Sequence, residues 1–144
     1  MATKERPRWL MRFIWKSHKL VWNASGGRLG TKVLGMPVLE LITTGHKSGE
    51  PRSILISYVE TPAGPAIAGT NAGKDTDPAW VRNLRADPAA RVRQGGTTRD
   101  VTASFLDGDE HGAAWQQFVD AADDYAGYAG MLTRPIPIVR LHDA

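Results

Sequence analysis

The sequence predicts an α+β fold: a small antiparallel β-barrel of five or six strands with helices inserted between its hairpins. Three observations predict it. The hydrophobic period changes from helical to alternating near residue 36. Short alternating runs then follow one another across turns of a few residues, a spacing that implies antiparallel pairing. Between the later hairpins, runs opening at Asp77-Pro78 and Asp107 return to helical spacing.

The segment from Pro7 to Ala24 reads as a helix, with Pro7 in the first turn, where its missing N–H is harmless. Trp9, Leu10, Phe13, Ile14, Leu20, Val21 and Ala24 fill an arc of about 140° on a helical wheel. Lys19, Arg12 and Lys16 leave only a narrow basic stripe. So broad an apolar arc either packs between protein surfaces or meets a membrane interface, where Trp and Lys/Arg sit comfortably. Gly26, Gly27, Gly30, Gly35 and Pro37 then make a flexible connection, dividing the chain into an arm and linker, 1–35, and a barrel domain, 36–144.

Within the barrel domain Val38–Thr44 is a strand, His46–Pro51 a turn, and Arg52–Glu60 a second strand with Ile54, Ile56 and Tyr58 on one face. Thr61-Pro62-Ala63-Gly64 turns the chain into a short strand, Pro65–Gly69. Asp77 at the cap and Pro78 at the first position open a helix that faces Trp80, Val81 and Leu84 inward, and Asp87-Pro88 stops it. Ala90–Gln94 and Thr97–Leu106 form a hairpin about Gly95-Gly96. Asp107 with Glu110 resembles a capping box for a helix carrying Trp115, Phe118, Val119 and Ala122. Asp124–Leu132 is readable as helix or loop, and Ile136–Leu141 closes the barrel.

Composition narrows the functional classes. The 144 residues are 42% hydrophobic and 23% charged, the balance of a globular domain rather than a disordered chain. No apolar run reaches the roughly 18 residues of a membrane-spanning helix. There is no cysteine, which removes disulfides, thiolate metal sites and cysteine nucleophiles and fits a cytoplasmic setting. The N-terminus lacks the small-residue cleavage site of a signal peptide. The net charge of +3 is unevenly spread: residues 1–35 hold eight Lys/Arg against Glu5 alone, whereas residues 36–144 are net acidic. The arm therefore suits an anionic partner, lipid headgroups before nucleic acid.

Few residues can carry chemistry. His18, His46, His111 and His142 fall in four separate elements, so no metal site is expected. Ser48 lacks the glycine spacing of a nucleophile elbow, and neither GxGxxG nor GxxxxGK[ST] occurs. Two loops remain. Thr43–Arg52 offers a tight turn with backbone amides, the Ser48 hydroxyl and two cations, Lys47 and Arg52; it is either a phosphate cradle or a solvated hairpin tip. Ala66–Gly73 runs out through very small residues, which admit a flat ligand or pack a barrel corner.

Together, in this order, the loops resemble the deazaflavin-dependent nitroreductase family of mycobacteria and related actinobacteria. The resemblance covers about residues 36–144. It rests on Thr43-Thr44-Gly45-His46-Lys47-Ser48-Gly49-Glu50-Pro51-Arg52, Pro78-Ala79-Trp80 with Asn83-Leu84, Asp87-Pro88, and Arg134-Pro135-Ile136-Pro137-Ile138-Val139. It implies a split β-barrel of about six strands using coenzyme F-420. It also implies that Lys47, Ser48, Gly49 and Arg52 bind the coenzyme's phosphate and the start of its acidic tail. Thr70, Asn71, Ala72 and Gly73 would line the deazaflavin ring, with Trp80 and Asn83 positioning that loop or the coenzyme. Tyr125 and Tyr128 fall where the family places substrate-side tyrosines. Three features depart from the pattern: Thr70-Asn71-Ala72-Gly73 replaces Ser-Lys-Gly-Gly, His46 a frequent arginine, and Ala122 a tyrosine. Coenzyme binding is expected, whereas reduction of bulky nitroimidazoles does not follow.

The implied activity is hydride transfer from the reduced coenzyme to a quinone, an enone or a nitro compound, with the proton from Thr70, Tyr125 or water. No protein nucleophile is needed, and the sequence offers none. The expected setting is the cytoplasm, with peripheral contact to the inner membrane face through residues 7–24. Nucleic acid is not an expected partner, because the basic residues after position 36 are not interleaved with exposed aromatics. Two rival readings keep the barrel: an oxidoreductase using FMN, and a non-enzymatic module holding coenzyme or lipid at a membrane.

Overall fold

Alternation along the strand Met36–Thr44 buries Leu39, Leu41 and Thr43, and the sheet is built outward from this strand. The computed structural model describes residues 32–33 and 36–144. The helix expected over 7–24, and most of the expected linker, lie outside the described residues. In chain order the strands and helices are β1 (Lys32–Val33), β2 (Met36–Thr44), β3 (Pro51–Ser57), β4 (Val59–Thr61), β5 (Gly64–Ala68), α1 (Ala79–Ala86), β6 (Ala89–Gln94), β7 (Thr97–Phe105), α2 (Gly108–Ala121), α3 (Asp123–Met131) and β8 (Ile138–Asp143). A 3-10 turn, Asn71–Gly73, lies between β5 and α1.

All pairings are antiparallel. The strand order is β1-β2-β6-β7-β8-β5-β4, with β3 on the opposite edge of β2 from β6. The expected hairpin forms as Gln94 pairs with Thr97, and Gly95 and Gly96 both take positive φ, 57° and 85°, as a type I′ turn requires. One hydrophobic cluster gathers Leu39, Leu41, Ile67, Val92, Val101 and Leu141 with Trp80, Val81 and Leu84 of α1. A second gathers Met36, Val59, Ala66 and Ile138 with Ala114 and Phe118 of α2. Phe118 is fully buried, and Trp115 is half-buried beside it.

Several expectations are corrected. The run Arg52–Glu60 is two strands: β3 pairs with β2, and β4 pairs with β5. The break falls at Tyr58, whose amide donates to the Pro37 carbonyl at 3.1 Å and whose buried hydroxyl accepts from Gln94 Nε2 at 2.8 Å. Those bonds anchor a corner where the chain changes partner, and together with the short β1 they raise the strand count among the described residues to eight. Ile54 lies opposite Leu41 and so shares its face, yet it is 41% exposed, because among the described residues β3 pairs with β2 alone.

Asp107 occupies the expected N-cap position, but neither expected aspartate makes a side-chain capping bond. Pro78 caps α1 without a side-chain bond, and Asp77 instead pairs with Arg85 and Arg134. Asp107 caps α2 without a side-chain bond, and Glu110 pairs with Arg140 at 2.6 Å. The stretch around Tyr125 is helical as α3, and the closing strand starts at Ile138 because Pro137 has no N–H for the ladder. The Pro137 carbonyl instead accepts from Gly69 at 2.8 Å.

Candidate functional site

The turn between β2 and β3 is closed by its own backbone: the Gly45 amide donates to the Glu50 carbonyl, and the Gly49 amide to the Gly45 carbonyl, both at 2.8 Å. Gly49 takes φ 71°, open to glycine without strain. The Ser48 hydroxyl points into the turn, accepting from the Glu50 amide at 3.1 Å and from Arg52 Nη2 at 3.4 Å. A Cβ on Gly45 would come within 2.6 Å of that hydroxyl, so a larger residue there would have to displace Ser48 from its place in the turn.

Asn83 of α1 holds this turn from behind. It is 3% exposed, and its Nδ2 donates to the buried Thr43 Oγ1 at 3.0 Å. Its Oδ1 accepts from the His46 amide at 3.0 Å and from His46 Nδ1 at 2.6 Å. A carbonyl oxygen only accepts, so this contact places the imidazole proton on Nδ1. Sequence reasoning had Asn83 positioning the small-residue loop or the coenzyme; its hydrogen bonds go to the cationic turn.

Turn, β3 and α1 enclose a cleft of about 470 Å³. Lys47, Ser48 and Arg52 form one side, Ile54 and Trp80 offer apolar wall, and Asn71 reaches in from the 3-10 turn. Among the described residues neither Lys47 nor Arg52 has an ion-pair partner, whereas Arg85, Arg91, Arg93, Arg99, Arg134 and Arg140 all do. Six of the expected coenzyme residues, Lys47, Ser48, Arg52, Asn71, Trp80 and Asn83, thus meet at one cleft. Gly49 shapes the turn behind it, and Ala72 and Gly73 complete the 3-10 turn.

The residues expected to do chemistry lie elsewhere. Thr70 is buried, 7% exposed, and does not line the cleft. Tyr125 packs its ring 4.9 Å from Phe118, 6.1 Å from Trp115 and 5.9 Å from Tyr128, an aromatic cluster on the α2–α3 face. Neither tyrosine lines the cleft, although α3 packs beside the 3-10 turn.

Sequence reasoning missed how the 70–78 loop is held. Arg134 donates to the carbonyls of Thr70 at 3.2 Å and Lys74 at 3.0 Å. Thr133 donates its amide, at 3.1 Å, and its hydroxyl to Asp75, which holds that carboxyl below the usual carboxylate range. Asn71 sits at φ 50°, the left-handed region an Asn tolerates better than most residues, and its Nδ2 donates to the Thr76 carbonyl at 3.0 Å. A signal existed: Arg134 stands in the Arg-Pro-Ile-Pro motif, but no local pattern says where its guanidinium reaches.

The sequence matches the F-420H(2)-dependent quinone reductases over residues 14–143, most of its length. The chain belongs to this family. The match begins well before residue 36, where the motifs alone begin. A relative is the F-420H(2)-dependent quinone reductase of Mycobacterium tuberculosis strain H37Rv, 30% identical over 142 residues, covering 93% of this chain and 95% of the relative. Among solved structures, an F-420-H2 dependent reductase, FDR-A, superposes with TM-score 0.68 at 32% identity over 77% of this chain and 98% of its own. Another, described as a domain-swapped dimer, superposes with TM-score 0.70 at 29% identity, covering 93% and 97%. The fold is the split β-barrel of these family structures.

Proposed function

We propose that this chain transfers a hydride from reduced coenzyme F-420 to a quinone, binding the coenzyme across the cleft between the β2–β3 turn and α1. Family membership carries the reaction class, which is that of an F-420-dependent oxidoreductase. The observation that carries the site is the pair of cations, Lys47 and Arg52, without ion-pair partners among the described residues, on the rim of a cleft with apolar wall at Ile54 and Trp80. That donor set suits a ligand with a flat apolar body and an anionic tail.

When bound, the reduced deazaflavin supplies the hydride. The chain's part is to bind, orient and exclude water. Lys47 and Arg52 neutralise phosphate and carboxylate charge, while Ser48, engaged with the Glu50 amide, fixes the turn that presents them. Asn83 keeps the turn at a set distance from α1. Reducing the quinone to its quinol takes one hydride and one proton. Burial of Thr70 and packing of Tyr125 against Phe118 favour water as the proton source at the cleft. Tyr125 and Tyr128 are assigned to the acceptor side by the resemblance, and enones and nitro compounds are proposed as further acceptors. Contact of residues 7–24 with anionic lipid is proposed from their sequence alone.

The test mixes purified protein with reduced coenzyme and menadione and follows return of the oxidised coenzyme's absorbance. Acceptor-dependent oxidation is expected. A yellow protein with a flavin spectrum would favour FMN, and binding without turnover the non-enzymatic module. Replacing Lys47 or Arg52 by alanine should raise the coenzyme Kd by roughly tenfold to a hundredfold, the effect of losing one charge-assisted contact of about 1.5–3 kcal/mol. Unchanged affinity in both variants would put the coenzyme's anionic end elsewhere.

A further inference from the structure

Arg134 lies between α3 and β8 and does not line the cleft, yet its guanidinium spans 64 residues of sequence to reach Thr70. Nη2 donates to the carbonyls of Thr70 and Lys74, the residues that cap the two ends of the 3-10 turn Asn71–Gly73. Nη1 is turned to Asp77 Oδ1 at 3.0 Å, and the other Asp77 oxygen holds Arg85 of α1 at 2.9 Å. The preceding residue, Thr133, grips Asp75 in the same loop. Nε of Arg134 is buried without a hydrogen-bond partner. Leaving a buried N–H unpaired opposes folding, so the loop carbonyls and Asp77, not Nε, set how this fork is turned.

We infer that Arg134 is a positioning residue: it sets the height of the Asn71–Gly73 turn at the cleft, and so the approach of hydride donor to acceptor, without touching either. The inference rests on the cleft being the coenzyme site. Asn71 supports it, since a left-handed non-glycine conformation persists only where its surroundings hold it, and Arg134 clamps both flanks of that turn. Hydride transfer is steeply sensitive to small displacements of the reacting atoms, so a clamp of this kind acts on rate more than on affinity.

The experiment measures single-turnover hydride transfer at saturating reduced coenzyme, together with coenzyme Kd by fluorescence, for wild type, Arg134→Gln, Arg134→Lys, Arg134→Ala and Arg140→Gln. Arg140 is a matched control, half-buried and bonded to Glu110 and Thr61, neither of which belongs to the loop. Arg134→Gln should slow transfer roughly tenfold or more while Kd stays near wild type. Arg134→Lys should also be slow, because one ammonium cannot reproduce the fork, and millimolar guanidinium should restore part of the rate to Arg134→Ala. If Arg134→Gln does not fold, Arg134→Lys, which keeps a charge beside Asp77, carries the test. Wild-type rates in Arg134→Gln and Arg134→Lys, or equal slowing in Arg140→Gln, overturn the inference. Unchanged coenzyme Kd in Lys47→Ala and Arg52→Ala overturns the cleft itself; a raised Kd there with unaffected Arg134 variants overturns the positioning role alone.

Discussion

Asn83 joins three groups of the cationic turn to α1 through one buried amide: Thr43 Oγ1, the His46 amide and His46 Nδ1. Asn83→Leu keeps the volume and strands those partners. We expect it to cost about 1–3 kcal/mol, read as a lower Tm, and to weaken coenzyme binding because Lys47 loses its backing. A loss of stability with unaltered affinity would separate the turn from the coenzyme. Asp75 carries a pH prediction. Its folded pKa is depressed below the ordinary 3.8 by the Thr133 hydroxyl and amide, so the unfolded chain takes up a proton at higher pH than the folded one. Its contribution to stability is thus present above about pH 4 and lost as pH falls through the folded value. Tm measured against pH should show a steeper acid-side decline in wild type than in Asp75→Asn; identical slopes would mean that the Thr133 tie does not matter to folding.

At the scale of elements, the sharpest constraint lies where β5 leaves the sheet. A Cβ on Gly69 would lie 2.8 Å from Pro137 Cγ and 3.0 Å from Val81 Cγ2, between the β8 linker and α1. Gly69→Ala should destabilise by roughly 1–3 kcal/mol through overpacking and shift the loop that begins at Thr70. Denaturation midpoint and hydride-transfer rate should both fall; a wild-type midpoint would mean that Pro137 moves aside freely. Gly64 faces a similar limit, because its Cβ would collide with the Leu141 carbonyl across the β5–β8 ladder. Elements were legible wherever the signal was local. Gly95-Gly96 announces its turn because only positive φ suits the hairpin's twist. The break at Tyr58 was not legible, because a pleated run reads the same whether one partner or two lie beside it.

Over the whole molecule, residues 36–144 are net acidic and residues 1–35 strongly basic. Removing residues 1–24 should reduce sedimentation with anionic vesicles while hydride transfer to a soluble quinone persists. Vesicle binding equal to that of the full chain would retire the membrane proposal. Among the described residues no helix is long and apolar enough to cross a membrane. The barrel brings residues from distant stretches, Lys47 and Arg52 on one side and Asn71, Trp80 and Asn83 on the other, to one cleft.

Most of the barrel, its hairpin turns and the cationic turn follow from the sequence by itself, because period, turn chemistry and charge are properties of neighbouring residues. Family membership was legible there too, in short motifs whose order needs no coordinates. Tertiary structure decided which carboxylate serves which arginine. Asp77 and Glu110 pair with Arg134 and Arg140 in place of side-chain capping bonds, because folding brings those guanidinium groups within reach. It also decided that Tyr125 packs against Phe118 and that Arg134 grips the Asn71–Gly73 turn. Those contacts join residues far apart in the chain, and nothing in their local surroundings encodes a distance that the closed sheet sets.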